Sequence, residues 1–131
     1  MISNRSMPPG VIIPELPYED VNVAAEWLCQ TFGFKERLRI GNHRCQLTFG
    51  ESSVIAIERK EPGISSILMH VEDIDSHFER TKQSGSRIIN LPTDYPFGER
   101  QYTVEDIGGH RWTFSQTIAD VDPATWGGEL V

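Results

Sequence analysis

The feature that most constrains this chain is a duplication. Glu19-Asp20 recurs as Glu72-Asp73, 53 residues later, and the same succession of elements follows each pair. In the first half, Val11-Ile12-Ile13 opens a β-branched strand running into Glu15 and Leu16,. Asp20 stands where a side-chain oxygen caps a helix,. Behind it Val21, Ala24, Ala25, Leu28 and Phe32 fall at helical spacing and make one apolar stripe,. Gly33 occupies the place of a helix C-terminal glycine,. Lys35–Ile40, Arg44–Phe49 and Ser53–Glu58 then read as strands, separated by turns at Gly41-Asn42 and Gly50-Glu51-Ser52,.

The second half keeps that order. Ser65–Val71 reads as a strand, Asp73 caps a helix carrying Ile74, Phe78 and Thr81 on one face, and Gly85 ends it. Strands follow at Arg87–Leu91, Arg100–Glu105 and His110–Thr117. Pro92–Gly98 reads as a loop between the first two, and Asp106-Ile107-Gly108-Gly109 as a turn before the last,. A βαβββ unit of about fifty residues is therefore present twice. One helix covers only one face of such a sheet, so the other face needs a second partner. The expected fold is α+β: two βαβββ repeats forming a curved mixed sheet around a cavity, with helices on the outer face. The expected organisation is a mobile N-terminal lead-in over 1–10 and a single domain over 11–131. Repeat one spans 11–60, repeat two 64–117, and a C-terminal tail 118–131.

Composition removes several functions. The 131 residues are 38% hydrophobic, enough for a core, and the formal net charge is −7. That charge opposes sequence-independent nucleic-acid binding, which needs cationic surface, and opposes docking on anionic membranes. The apolar runs, such as Val11–Pro14 and Ile64–Met69, are too short to span a bilayer,. No cationic segment followed by an apolar core opens the chain, so a cytoplasmic location is expected,. Cys29 and Cys45 are the only cysteines and lack metal or redox spacing; they read as buried thiols rather than a disulfide,.

Several segments carry a resemblance. Asp20–Phe34, with Ala24-Ala25-Glu26-Trp27 leading into Thr31-Phe32-Gly33-Phe34, is similar to the first helix of the vicinal oxygen chelate superfamily, which includes glyoxalases, bleomycin-resistance proteins and dioxygenases. Phe97-Gly98-Glu99-Arg100-Gln101-Tyr102, and then Glu105–Ser115 with Gly108-Gly109-His110-Arg111-Trp112, resembles the Tyr-Gly-Asp-Arg and Asp-Pro-Xaa-Gly-His-Xaa-Trp segments of the glyoxalase-like branch. Ile107 replaces the usual proline, and Asp122-Pro123 to Trp126-Gly127 resembles the tail of that branch.

The resemblance implies four metal-ligand places, one on the first and one on the last strand of each half. Carried onto this chain they fall on Ile13, Ala56, Ser66 and Thr113. Metalloenzymes of the superfamily have His, Gln or Glu there, donors suited to a divalent cation. Two hydrocarbons and two neutral hydroxyls are not such a set, so no cofactor is expected. A slipped site remains an alternative: Glu15 and Glu58 lie two residues beyond emptied places and His70 four beyond Ser66, which puts all three on the cavity side by alternation,. The plainer reading leaves both glutamates in solvent at strand ends.

Other candidates are weighed in the same way. His110 shares a face with Trp112 and Phe114 and reads as structural, as do Trp27, Leu28, Phe32 and Phe78, which with Trp112 and Phe114 form the helix-to-sheet core. Arg111, Thr113 and Ser115 face the cavity; Arg111 suits a carboxylate or phosphate, or pairs with Glu15,. Tyr95 and Phe97 either stack on a planar ligand or anchor their loop,. His43 and His77 read as surface residues. The expectation is a metal-independent small-molecule-binding protein that sequesters an antibiotic or metabolite, with Glu15, Glu58, Ser66, His70, Tyr95, Phe97, Arg111 and Thr113 as ligand-binding residues. A homodimer is implied, because members of this branch commonly pair or exchange halves. The alternative is a divergent metal-dependent lyase, isomerase or dioxygenase.

Overall fold

The computed structural model describes residues 2–60 and 63–130; Met1 and Val131, the outer ends of the expected lead-in and tail, lie outside the described residues. The chain divides between Ser65 and Ser66 into two compact units, one for each repeat.

The first unit runs β1 (Glu15–Tyr18), α1 (Val21–Phe32), β2 (Lys35–Ile40), β3 (Arg44–Phe49) and β4 (Ser52–Glu58). Its sheet has the order β1-β4-β3-β2, with β1 parallel to β4 and the other pairs antiparallel. The local signals in the sequence account for α1. The Asp20 carboxylate accepts from Val23 N at 3.1 Å, and Gly33 closes the helix at φ 83°, a left-handed conformation that a side chain resists,. The whole predicted stripe, Val21, Ala24, Ala25, Leu28 and Phe32, is buried. It packs over Leu16, Tyr18, Cys45, Leu47 and Ala56, all buried on the facing side of the sheet. Trp27 is only half-buried and meets Phe32 edge-on at 5.0 Å. Neither Cys29 nor Cys45 is in a disulfide among the described residues, and burial pushes the Cys45 thiol up to about 12.

Val11-Ile12-Ile13 do not belong to β1. The ladder starts where the Pro14 carbonyl accepts from Ile55 N at 2.9 Å. Proline has no N–H to extend it backwards, so the preceding apolar residues form an irregular segment. Residues 4–10 lie against the face of this sheet away from α1, with Pro8 buried.

The second unit runs β5 (Ser66–His70), α2 (Ile74–Gln83), β6 (Arg87–Tyr95), β7 (Glu99–Glu105) and β8 (Arg111–Thr117), then a single 3-10 turn at Pro123–Trp126. Its order, β5-β8-β7-β6, repeats the first. The eight strands thus make two four-stranded mixed sheets. Asp73 caps α2 through Ser76 N at 3.2 Å. Trp112, Phe114, Tyr102, Val104 and Ile74 form the buried layer between helix and sheet, while Phe78 is half-buried against Tyr102. β6 is longer than expected: Pro92 lies within it, not in a loop. An edge strand with irregular register at Ile88/Asn90 and Asn90/Thr93 tolerates a residue that cannot donate,.

Two polar groups are bonded into this unit's core. The Asp106 carboxylate accepts from Gly108 N, His110 N and Trp112 Nε1, each at 2.9 Å. Asp106, His110 and Trp112 are all buried, so His110 is structural. His77, expected at the surface, instead lies 2.5 Å from the Tyr102 hydroxyl through Nδ1, with its ring 4.0 Å from that of Phe114. Burial, with the positive charge of Arg80 second, lowers its pKa to about 4. His77 thus joins Phe78 and Thr81 in contact with Tyr102 on one face of α2.

Candidate functional site

Paired residues in a sheet point to the same side, so the ladders identify the side chains on each face. In the second unit the face away from α2 carries Ser66, Leu68 and His70 on β5, and Arg111, Thr113 and Ser115 on β8. Gln101, Thr103 and Glu105 continue it on β7, and Arg87, Asn90, Thr93 and Tyr95 on β6. The polar rows are bonded across strands. Thr103 and Thr113 hydroxyls lie 2.9 Å apart, Gln101 Nε2 donates to Ser115 Oγ at 3.0 Å, and Ser115 Oγ donates to Glu99 Oε1 at 2.7 Å. Ser66, Leu68, His70 and Arg111 are exposed, Leu68 at 65%. No salt bridge among the described residues involves Arg111. Ser66, His70, Tyr95, Arg111 and Thr113 therefore lie on one face. Gln101, Thr103 and Glu99 join them, a contribution legible in the alternation of β7 against buried Tyr102 and Val104.

Phe97 follows a different course. Tyr95 and Phe97 stack with centroids 5.4 Å apart and planes 12° from parallel, and Trp126 meets Phe97 at 5.5 Å. The tail is pinned beside them, since Ile118 N donates to the Gly98 carbonyl at 2.9 Å. Phe97 is thus engaged by its own chain.

In the first unit, Glu15 faces away from α1 with Pro17, Ile55 and Ile57. Its carboxylate takes Arg44 Nη2 at 2.5 Å, not Arg111. Both partners are partly exposed, so the pair orients more than it stabilises. An open groove of about 520 Å³ is lined by Pro17, His43, Arg44, Ile57, Glu58 and Lys60. Glu58, the last residue of β4, reaches that rim, but it pairs with buried Tyr18 and not with Glu15.

The register corrects one expected metal place. Leu68 pairs with Thr113, whereas Glu15, 53 residues before Leu68, pairs with Ile55. The counterpart of Thr113 is Ile55, and Ala56 points toward α1 beside Leu16 and Cys45. The error is a slip of one residue, which reverses the face. Ile55 offers no donor either. Among the described residues no group of three His, Cys, Asp or Glu is arranged to hold a metal ion. At these places Ser66 and Thr113 offer neutral hydroxyls, not the His, Gln or Glu of the superfamily's divalent-cation sites,.

Comparison with known proteins places the chain. An uncharacterized protein of Mycobacterium bovis is 30% identical over 57 residues, covering 44% of this chain and 38% of that protein. The chain thus spans well under half of that relative's length. Among solved structures, TioX of Micromonospora sp. ML1 superposes with a TM-score of 0.77 at 32% identity, over 82% of this chain and 98% of TioX. TnmS3, an antibiotic binding protein from Streptomyces sp. CB03234, gives 0.71 at 20% identity over 82% of this chain and 95% of its own. Lactoylglutathione lyase from Agrobacterium tumefaciens gives 0.71 at 14% identity over 92% and 98%. The last two likenesses are of fold alone. The family model of the glyoxalase/bleomycin resistance protein/dioxygenase superfamily matches residues 12–114. The chain belongs to that superfamily.

Proposed function

We propose that this protein binds a small organic molecule on sheet faces turned away from the helices and sequesters it without a metal. One observation carries the reading. The four places that the resemblance gives to the superfamily's metal ligands hold Ile13, Ser66, Thr113 and, by register, Ile55 in this chain. Such side chains suit a hydroxyl-bearing or apolar ligand and not a divalent cation. On the second sheet, beside Ser66 and Thr113, Arg111, His70, Thr103 and Gln101 present orienting polar groups, with Leu68 and Tyr95 as apolar surface. The likeness in fold to an antibiotic binding protein supports a sequestered antibiotic or metabolite. A net charge of −7 favours a cationic ligand,. No helix among the described residues is long and apolar enough to cross a membrane. A cytoplasmic homodimer completes the reading, and sedimentation tests it by giving twice the 14.8 kDa of one chain.

The test is a thermal-shift screen of metal-free protein against planar aromatic antibiotics, thiol conjugates and divalent salts. An organic ligand raises the melting temperature by mass action, and Arg111→Ala weakens its binding about tenfold by removing a charged hydrogen bond. Stoichiometric metal in protein purified without added ions, lost in His70→Ala, would overturn the proposal in favour of a metal-dependent enzyme.

A further inference from the structure

The face of the first sheet away from α1 is occupied by the chain's own N-terminal segment. Three side-chain donors hold three backbone carbonyls of that segment. Arg37 Nη2 donates to Arg5 O at 2.7 Å, Gln46 Nε2 to Ser6 O at 2.9 Å, and Ser53 Oγ to Pro9 O at 2.6 Å. The donors belong to the sheet and are organised without the segment, since Gln46 Oε1 accepts from Arg37 Nη1 at 2.6 Å. Gln46 and Ser53 are each 3% exposed, and Ile55 beside them 4%. The segment has its own local shape: Asn4 Oδ1 accepts from Ser6 N and Asn4 O from Met7 N.

We infer that residues 4–9 form a displaceable strap over a site that reads the carbonyls of an extended, peptide-like ligand. The chemistry at each contact is a side-chain N–H or O–H given to a backbone carbonyl, and no side chain of the strap is needed for these three bonds. Any extended molecule with amide or ester carbonyls at similar spacing satisfies the same donors. The strap can leave without stranding them, because Gln46 and Ser53 then meet water rather than a dry interior. Its three hydrogen bonds and buried Pro8 hold it, and proximity along the chain adds an effective concentration of about the millimolar scale,. Only the assignment of this face to the ligand rests on the function proposed above; the strap and its donors stand on the hydrogen bonds.

The test uses the full chain. Pro8→Asp places a charge at the strap's buried residue and releases the strap, leaving the sheet intact. A fluorescent peptide spanning Ile2–Gly10 should then bind Pro8→Asp at least tenfold more tightly than the unaltered protein, where the tethered strap competes. It should lose that affinity in Pro8→Asp/Gln46→Ala. A folded Pro8→Asp protein that binds the peptide no better than the unaltered one overturns the site. In an otherwise unaltered chain, Gln46→Ala should raise tryptic cleavage at Arg5–Ser6 about threefold to tenfold, the loss of one hydrogen bond. Cleavage after Arg87 serves as the internal reference for global unfolding. Equal Arg5–Ser6 cleavage overturns the strap even if Pro8→Asp fails to fold. Failure of the thermal-shift screen, by contrast, counts against the proposed function and leaves peptide rebinding unaffected.

Discussion

Replacing Asp106 by alanine tests how the second repeat is held together. The carboxylate is 6% exposed and accepts from Gly108 N, His110 N and Trp112 Nε1, each at 2.9 Å. Gly108 is partly exposed, so water can take the place of its lost acceptor. His110 and Trp112 are fully buried, and their N–H groups cannot be hydrated in place. Leaving a buried donor without its acceptor costs about 1–3 kcal/mol, so two of them cost about 4 kcal/mol. That is a large fraction of the roughly 5–15 kcal/mol that holds an ordinary domain folded. Urea unfolding followed by tryptophan fluorescence measures it as a lower midpoint at unchanged slope. Asp106→Asn keeps one oxygen for the two backbone donors but sets an NH2 against the indole N–H, and should lose about half as much. Adding Trp112→Phe to Asp106→Asn removes the opposed donor, so the pair should be less destabilised than the sum of the singles. An Asp106→Ala protein within about 1 kcal/mol of the unaltered chain would refute the reasoning, because no buried donor would then depend on the carboxylate.

Two further outcomes follow from single residues. Gly98 has φ +86°, and a Cβ there would stand 2.4 Å from the Ala119 carbonyl oxygen. Gly98→Ala should therefore cost about 2–4 kcal/mol from backbone strain and a shifted tail, with Trp126 leaving Phe97 in the fluorescence spectrum. His77 is held at about 4, below its ordinary 6.5. The unfolded chain then binds the extra proton first, so stability falls as pH drops from about 6.5 toward 4 and levels off below. In urea titrations His77→Gln should flatten that slope; an unchanged slope would assign the acid sensitivity elsewhere.

Much of the fold is legible along the chain because its signals are local. Asp20 and Asp73 cap their helices with their own side chains, and Gly33 ends α1 through its own backbone freedom. The stripe from Val21 to Phe32 is a matter of spacing, and the repeat of 53 residues needs only comparison of the chain with itself. The polar face of β7 and β8 is readable in the same way, since alternation on a strand sorts Thr113 and Ser115 from Trp112 and Phe114,. These features depend on a few neighbouring residues, so they can be read without any distant partner.

What only the tertiary structure decided lies between segments far apart in sequence. The parallel register of β1 on β4 put Ile55 rather than Ala56 opposite Glu15, and one residue of slip exchanges the two faces of a strand,. Arg44 claimed Glu15 from 29 residues away, and Ser53 took the carbonyl of Pro9 from 44 away. His77 turns toward Tyr102 and Phe114, which lie 25 and 37 residues along the chain. The duplication therefore fixes the order of elements in each half. Which side chains meet there, and what covers the first face, depends on pairings whose energies arise only when distant segments pack.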